Sequence, residues 1–556
     1  MKKIAKFLIV LGMMGQLSSC DYLDIVPDER AQESDTWKTE GAVRGYLYSC
    51  YGYLPANRTF GNSYWLAEEL TAVTKELFTT FKYGYYSPVS LGFTSNTWST
   101  IWNGIHQCYM FQESLKQVSN EYVTDEMKKQ YLAESNFLIA YYHFLSMRSY
   151  GPTMIIRSVI DLETPISGFP ERSSIDEVVA FINEKLDEAM SEGGLPTTWS
   201  GKDYGRATRL AALALKSRVY LYAASPLYNG NTEMYADFRS PLDGRQLIAQ
   251  EKSQAKWEIS ATQTKYAIDE VEKAKFHLYH DADAGEPSDA KPGLPNKAQR
   301  RLRYTNIDNQ TGNNPEIIWA DTRNDDYYGI QRRCPPRQTL GGKFAGISMT
   351  NCPTLQTIEA FYTKNGLPIN KDKTFDYDER YEYISAPENC DGNNYEDLVK
   401  YANFTPSSDK VMRLCTDREP RFYAWTTYHN GYFEFGKYNN EEISADPAKR
   451  AIRIHLLRDD PHGRGNRTDQ EYSISGFGNK KGVVPSAEWN VIEYPFPLFR
   501  LAELYLNYAE ALVELDRLSE AKVYLDKVRE RAGIPSVDEA WDKYSTNPGY
   551  QNTQEG

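Results

Sequence analysis

Two segments of the chain combine aromatic rings with polar side chains in a way that suits sugar recognition. Sugar rings present apolar C–H faces edged by hydroxyls, so their sites need aromatic faces beside amide, carboxylate or guanidinium groups. The first segment contains Trp65, Tyr83, Tyr85, Tyr86 and Asn96. The second contains Arg323, Asn324, Asp325, Tyr327, Tyr328 and Arg332. Composition and position predict these residues as ligand-binding candidates, against the alternative that their rings only fill a structural frame.

Catalytic and metal-binding patterns are not found in the sequence. It contains neither H-E-x-x-H, nor G-x-S-x-G, nor a phosphate-binding P-loop, and its seven histidines do not follow metal-ligand spacing. A pair of glycosidase carboxylates can always be chosen from 76 acidic residues, so their presence decides nothing. Asp325 and the 391–394 segment could offer oxygens to calcium, but ordinary turns explain them better. We therefore predict no catalytic residue, no metal site and no cofactor.

The first twenty residues indicate export. A basic start, an apolar stretch from Phe7 to Met14, and Ser18-Ser19-Cys20 form a signal peptide over residues 1–19. Its end resembles the bacterial lipobox, in which the cysteine becomes the lipidated first residue. Several acyl chains together hold a protein on a membrane without spanning it. We predict that Cys20 carries a lipid anchor and that residues 20–35 form a tether.

The overall charge excludes one class of partner. The formal net charge is -13, and a strongly acidic chain is repelled by phosphate backbones, so nucleic acid is not expected to bind. With 41% hydrophobic and 25% charged residues, the composition is that of a globular protein.

Helical periodicity is strong at both ends of the chain. Apolar residues recur at three- and four-residue steps over 36–53, 98–109 and 127–150, and alanine and leucine are frequent over 207–224. Ser174 with Glu177 predicts an N-terminal cap for a helix to Ala189. Residues 498–515 and 518–532 form a further pair that Gly533 closes. Such alanine-rich pairs resemble tetratricopeptide units, although they are far apart in sequence.

The middle of the chain has a different character. It is rich in Asn, Asp, Gly, Pro and Tyr, and it shows few helical patterns. Long loops on a rigid frame often carry function. We therefore predict one domain over residues 36–556 that is mostly α. Tetratricopeptide-like helix pairs over 36–280 and 495–535 form its scaffold, and a loop-rich ligand face with short strands covers about 282–490.

A series of motifs runs in order along nearly the whole chain. They are Cys20-Asp21-Tyr22-Leu23-Asp24 with Pro27, residues 133–142 with Tyr150-Gly151-Pro152, residues 205–216, Asp417-Arg418-Glu419-Pro420-Arg421, residues 500–511 and residues 528–533. Together they resemble the SusD/RagB family, the surface glycan-binding lipoproteins of Bacteroidetes nutrient uptake. These are scaffold motifs, so the resemblance assigns no ligand residue.

The resemblance implies a function and a location. Family members lie over a TonB-dependent, SusC-like outer-membrane transporter, capture an oligosaccharide or polysaccharide, and release it to the barrel. It implies a lipid-anchored, non-enzymatic protein at the cell surface. It also implies further residues after Gly556, so we expect this chain to be truncated at its C-terminus. A binder of peptide or another nutrient remains an alternative, and a surface glycoside hydrolase is a weaker one.

Overall fold

The computed structural model describes residues 37–55, 68–72, 94–161, 163–285, 297–308, 314–323, 329–336, 339–340, 343–344, 349–385, 410–434, 451–460, 462–465, 472–484 and 492–555. Its first seven α-helices are α1 (Glu40–Tyr51), α2 (Thr94–Leu115), α3 (Asp125–Tyr150), α4 (Ile175–Ala189), α5 (Arg209–Ala224), α6 (Thr232–Tyr235) and α7 (Gln254–Lys273). The next five are α8 (Asp281–Ala284), α9 (Lys297–Tyr304), α10 (Ile330–Arg333), α11 (Leu355–Ala360) and α12 (Pro420–Trp425). The last three are α13 (Leu501–Glu514), α14 (Leu518–Ala532) and α15 (Val537–Tyr544).

Local sequence signals place three helix ends where they were expected, at Ser174, Gly151 and Gly533, whereas the helix expected over 98–109 extends from Thr94 to Leu115. The Ser174 side chain accepts the Glu177 N–H while the Glu177 carboxylate accepts the Ser174 N–H, which completes the predicted capping box at α4. Gly151 and Gly533, which end α3 and α14, both have φ above +70°, a conformation that glycine adopts without steric cost. The predicted fold class, a mostly helical scaffold with short strands in a loop-rich region, is confirmed.

The long helices form one continuous array. Consecutive neighbours are α1 and α2, α2 and α3, α3 and α4, α4 and α5, and α5 and α7. The array then continues with α13 and α14, because α13 packs against α7. Helices more than two hundred residues apart in sequence thus share the main core, and the segment between α7 and α13 is an insertion into the array.

Short strands connect this insertion to itself and to the array. The described strands are β1 (Leu70–Thr71), β2 (Thr153–Met154), β3 (Arg172–Ser173), β4 (Ile317–Asp321), β5 (Thr339–Leu340), β6 (Lys343–Phe344), β7 (Cys352–Pro353), β8 (Tyr383–Ser385), β9 (Lys410–Met412), β10 (Thr426–Thr427), β11 (Tyr432–Glu434), β12 (Ala451–Arg453), β13 (Gly478–Asn479) and β14 (Phe496–Arg500). They form antiparallel pairs: β1 with β7, β2 with β3, β4 with β14, β5 with β6, β8 with β9, β10 with β13, and β11 with β12.

The β4–β14 pair fixes the insertion to the helices through one aromatic cluster. The Trp319 ring lies edge-on to Phe137 at 5.0 Å and to Tyr141 at 5.2 Å, measured between ring centroids, and both of those residues are on α3. Its indole N–H donates to the Gly205 carbonyl at 2.9 Å. Such edge-on aromatic contacts add stability beyond the buried area alone. The end of β4 is therefore held rigidly against the array.

The described cysteines are thiols, and the described helices are not of the membrane-spanning kind. Cys50, Cys108, Cys334, Cys352 and Cys415 are buried thiols without a disulfide partner there. Among the helices that the structure describes, none has the length and apolarity needed to cross a bilayer.

Candidate functional site

The predicted ligand residues lie largely outside the described part of the chain. The backbones of Asn96 and Arg332 belong to α2 and α10, but their side chains are not described. Arg323 is described completely. The remaining candidates outside the described residues are Cys20, Trp65, Tyr83, Tyr85, Tyr86, Asn324, Asp325, Tyr327 and Tyr328. Their roles stay predictions.

Arg323 connects the end of β4 to the chain that follows α1. Its Nε and Nη2 atoms donate to the two carboxylate oxygens of Asp321, at 2.9 and 2.7 Å. Nη1 donates to the carbonyls of Leu54 at 2.8 Å and Gly52 at 3.5 Å, and Nη2 donates to that of Pro55 at 2.9 Å. A guanidinium has five N–H donors, and all five of these point at protein oxygens. Arg323 is thus a positioning residue between two segments.

The electrostatics of Arg323 favour this fixed state. Burial opposes the charge, but the hydrogen bonds and negative charge of Asp321 raise the pKa of the Arg323 guanidinium above its usual value. The side chain is 36% exposed, so the interaction is partly screened by solvent. It remains a bidentate pair with additional carbonyl contacts, the geometry in which arginine differs most from lysine.

The described residues that border the two predicted ligand segments lie close to one another. Pro55, the last described residue before the segment with Trp65, lies next to Arg323, the last described residue before Asn324. A second contact joins the same two regions, because Leu70 and Ala72 share a buried cluster with Ile330 and Cys334. Ala72 precedes the segment with Tyr83, and Ile330 follows the segment with Tyr328. The fold therefore brings the bases of both segments together.

A cavity of about 290 Å³ opens beside Arg323. Its wall contains the rings of Tyr48, Tyr51 and Tyr204 together with Lys202 and Arg206. Tyr48 is 41% exposed, so part of its ring faces solvent. Aromatic faces beside charged groups are the chemical combination that a polyhydroxylated ring requires. We call this space the Arg323 cavity.

A buried ion pair stiffens the floor of the Arg323 cavity. Glu134 on α3 is fully buried and accepts two hydrogen bonds from the Arg206 guanidinium and one from the Tyr51 hydroxyl. The Arg206 group also stacks on the Trp199 ring, 4.1 Å from its centroid. Burial and then the Glu134 carboxylate raise the pKa of Tyr51 well above its usual value, so this hydroxyl stays protonated as a donor.

The described residues also line two further cavities. One, of about 420 Å³, shares Tyr204, Gly205 and Arg206 with the Arg323 cavity and is otherwise lined by Trp199 and Trp319, among others. The other, of about 320 Å³, lies beside β1 and contains Trp425 and Lys481. We call the latter the Trp425 cavity. In the described part of the chain, no cluster of three or more His, Cys, Asp or Glu side chains has the arrangement of a metal site.

Several residues that line these cavities were not among the sequence candidates. Tyr48 lies off the buried stripe of α1, which is Val43, Leu47 and Cys50, so helical periodicity could have marked it as an exposed tyrosine. Trp199 and Tyr204 lie in an irregular connection, and Trp425 closely follows a scaffold motif. For these three residues the sequence offered no comparable signal.

Comparison with known proteins agrees with this architecture. Residues 315–555 match the SusD family model, and residues 21–221 match a family described as "Starch-binding associating with outer membrane". Comparison with curated proteins gives no match. Among solved structures, the protein BT4246 is 29% identical with a TM-score of 0.73, and the alignment covers 90% of this chain and 83% of that one.

Two more distant structures show the same fold. A SusD-like protein (BF3747) from Bacteroides fragilis is 20% identical with a TM-score of 0.62, over 91% of this chain and 81% of that one. A SusD-like carbohydrate binding protein (BF0978) from the same organism is 18% identical with a TM-score of 0.57, over 90% and 80%. Since the two family models together cover both ends of the helical array and most of the insertion, this chain belongs to the SusD/RagB family.

Proposed function

We propose that this protein binds an oligosaccharide or polysaccharide at the cell surface and delivers it to a TonB-dependent, SusC-like outer-membrane transporter. The observation that carries the proposal is the Arg323 contact, which places the bases of both aromatic segments beside one another. A glycan chain could then contact both segments at once, together with the exposed ring of Tyr48. The family description, starch binding associated with the outer membrane, supports the same ligand class and location.

Binding rather than catalysis fits the chemistry of the described residues. Near Arg323 the buried carboxylates are committed to structural partners: Glu134 to Arg206 and Tyr51, and Asp321 to Arg323. A glycosidase needs two carboxyl groups that face the substrate from opposite sides. We therefore propose a binding protein, held on the outer membrane by the lipid on Cys20.

The first experiment is a glycan-array screen of the protein beginning at Asp21, with chromatography of the glycans after incubation. We expect saturable binding of one glycan class without cleavage products. Cleavage would favour a hydrolase, and binding of peptides instead of glycans would favour another nutrient. Substituting Tyr85, Tyr86, Tyr327 and Tyr328 with alanine together should abolish binding, and retention of full affinity would contradict the predicted site.

A single-residue comparison tests the Arg323 cavity separately. Tyr48→Ala removes its exposed ring, and Tyr122→Ala removes a ring of similar exposure, 37%, from the turn between α2 and α3. We expect weaker glycan binding only for Tyr48→Ala. Equal affinities of both variants and the unmodified protein would remove Tyr48 from the site.

The membrane and transporter steps need their own measurements. Cys20→Ser should release the protein from the membrane fraction, because it removes the acylated side chain. Affinity purification of the lipidated protein should recover a barrel transporter. Retention of Cys20→Ser in the membrane without such a partner would contradict the lipid anchor.

A further inference from the structure

The Trp425 cavity has features that neutral sugar binding alone does not require. Its volume is about 320 Å³, and its apolar wall includes Leu70, Phe361 and Trp425. The Lys481 side chain completes the wall, with its ammonium 4.8 Å from the centroid of the Trp425 ring. Among the described residues the cavity thus combines aromatic surface with one cation, and it lies beside β1, which falls between Trp65 and Tyr83 of the first predicted segment.

Lys481 is held in place by its backbone. Asn479 accepts the Lys481 N–H through its side-chain oxygen at 3.1 Å, and its amide nitrogen donates to the Lys481 carbonyl at 3.0 Å. Trp425 is fixed as well, because its indole N–H donates to the Leu302 carbonyl at 3.1 Å. The Trp425 ring and the backbone of Lys481 are therefore positioned before any ligand arrives, which reduces the entropic cost of binding.

The ammonium of Lys481 has no hydrogen-bond acceptor within the described residues, whereas that of its neighbour Lys480 donates to the Tyr423 carbonyl at 3.2 Å. Nor does any described carboxylate lie within ion-pair distance of the Lys481 nitrogen. A half-buried ammonium with one aromatic contact and no paired carboxylate among the described residues retains the capacity to bind an anion.

The surrounding charges strengthen the electrostatic attraction of the Trp425 cavity for an anion. The guanidinium groups of Arg421, Arg500 and Arg531 repel the Lys481 ammonium. The carboxylate of Glu69 at the exposed rim attracts it. Two buried carboxylates pair with these three guanidinium groups: Glu419 with Arg421, and Glu316 with both Arg500 and Arg531. Among these described groups, four positive charges (Lys481 and the three arginines) therefore face three negative ones (Glu69, Glu419 and Glu316). Burial first, and then Arg500 and Arg421, lower the pKa of Lys481 to about 8.

We propose that the Trp425 cavity binds the anionic group of an acidic saccharide, with Lys481 as its charge partner and with Trp425 and Phe361 in contact with the C–H groups of the sugar. The anion could be the carboxylate of a uronic acid or a sulfate ester, since both offer oxygens to an ammonium. This proposal rests on the proposed function and narrows it to acidic glycans.

The test uses the protein from Asp21 and three probes in isothermal titration: glucuronate, glucose 6-sulfate and the neutral control glucose. We expect at least one acidic probe to bind at least tenfold more tightly than glucose, and which one binds identifies the source of the anion. Lys481→Met should weaken acidic binding at least tenfold. Lys481→Arg should retain acidic binding.

A pH series separates a ligand role from a structural one. Binding of the acidic probe should weaken as pH rises through about 8 in the unmodified protein, because Lys481 then loses its charge. In Lys481→Arg this loss should be absent, since a guanidinium stays charged. Equal acidic binding by the unmodified protein and Lys481→Met would overturn the proposal while leaving glycan binding intact. Failure to bind any saccharide would overturn the proposed function as well.

Discussion

Replacement of Arg323 by lysine is the most informative single perturbation of this protein. Lysine keeps the positive charge, but one ammonium cannot reach both oxygens of Asp321 and the carbonyls of Leu54 and Pro55. Two charged hydrogen bonds to the chain after α1 are lost. Each contributes roughly 1.5–3 kcal/mol when buried. Because the side chain is about one-third exposed, we reduce the total to about 2 kcal/mol of unfolding free energy.

The assay combines urea unfolding with glycan titration on the same preparations. Arg157→Lys is the matched control, because Arg157 also forms a bidentate pair, with Glu184, but on the exposed surface of the array. Exposed pairs typically contribute less than about 1 kcal/mol. We expect Arg323→Lys to lose about 2 kcal/mol and about tenfold in glycan affinity, and Arg157→Lys to change neither measurably.

The two measurements distinguish the possible errors in this reasoning. If Arg323→Lys unfolds at the same urea concentration as the unmodified protein, the Arg323 contacts contribute no stability. If stability falls while glycan affinity is unchanged, the bases of the two segments do not control the binding site. Either result would contradict the proposed link between the Arg323 contacts and ligand binding.

Three further perturbations test the array and its connection to the insertion. His143 is buried, with Nδ1 against the Ile139 carbonyl and Nε2 accepting the Ile156 N–H, and burial lowers the pKa of His143 to about 4. As the pH falls, the unfolded chain therefore takes up the proton first, near pH 6.5. The free energy of unfolding should be unaffected by His143 above that pH and should fall by about 2 kcal/mol by pH 5. In urea titrations at pH 7 and pH 5, His143→Gln should lack this pH-dependent loss of stability. Glu316→Gln should lower the free energy of unfolding by about 3–5 kcal/mol, because it leaves the guanidinium groups of Arg500 and Arg531 without a buried counter-charge. If calorimetry shows no loss of stability, Glu316 has no structural role. Ser174→Ala should cost about 1 kcal/mol in urea unfolding through loss of the α4 cap, and an unchanged midpoint would show that the cap contributes nothing.

Helix α7 shows where sequence periodicity was insufficient. Its buried face includes Trp257, Ile268 and Val271, but Ser260 and Thr264 interrupt the apolar stripe. In the structure the Thr264 hydroxyl lies 2.8 Å from that of Ser217 on α5, and Asn507 on α13 donates to Ser217 at 3.1 Å. Thr264, Ser217 and Asn507 are acceptable in this core because they satisfy one another across three helices, a compensation that no single segment can reveal.

The sequence alone determined what depends on neighbouring residues: the signal peptide pattern, the strongest helices, the cap at Ser174, the end at Gly533, and the ordered motifs of the family. Features that depend on contacts between distant residues were set by the tertiary structure. It placed α13 against α7, used all donors of Arg323 for the fold, and left the Lys481 ammonium facing a cavity without a hydrogen-bond acceptor among the described residues. The physical reason is that a side chain's type fixes which partners it can accept, whereas the packing of remote segments fixes which of those partners it meets.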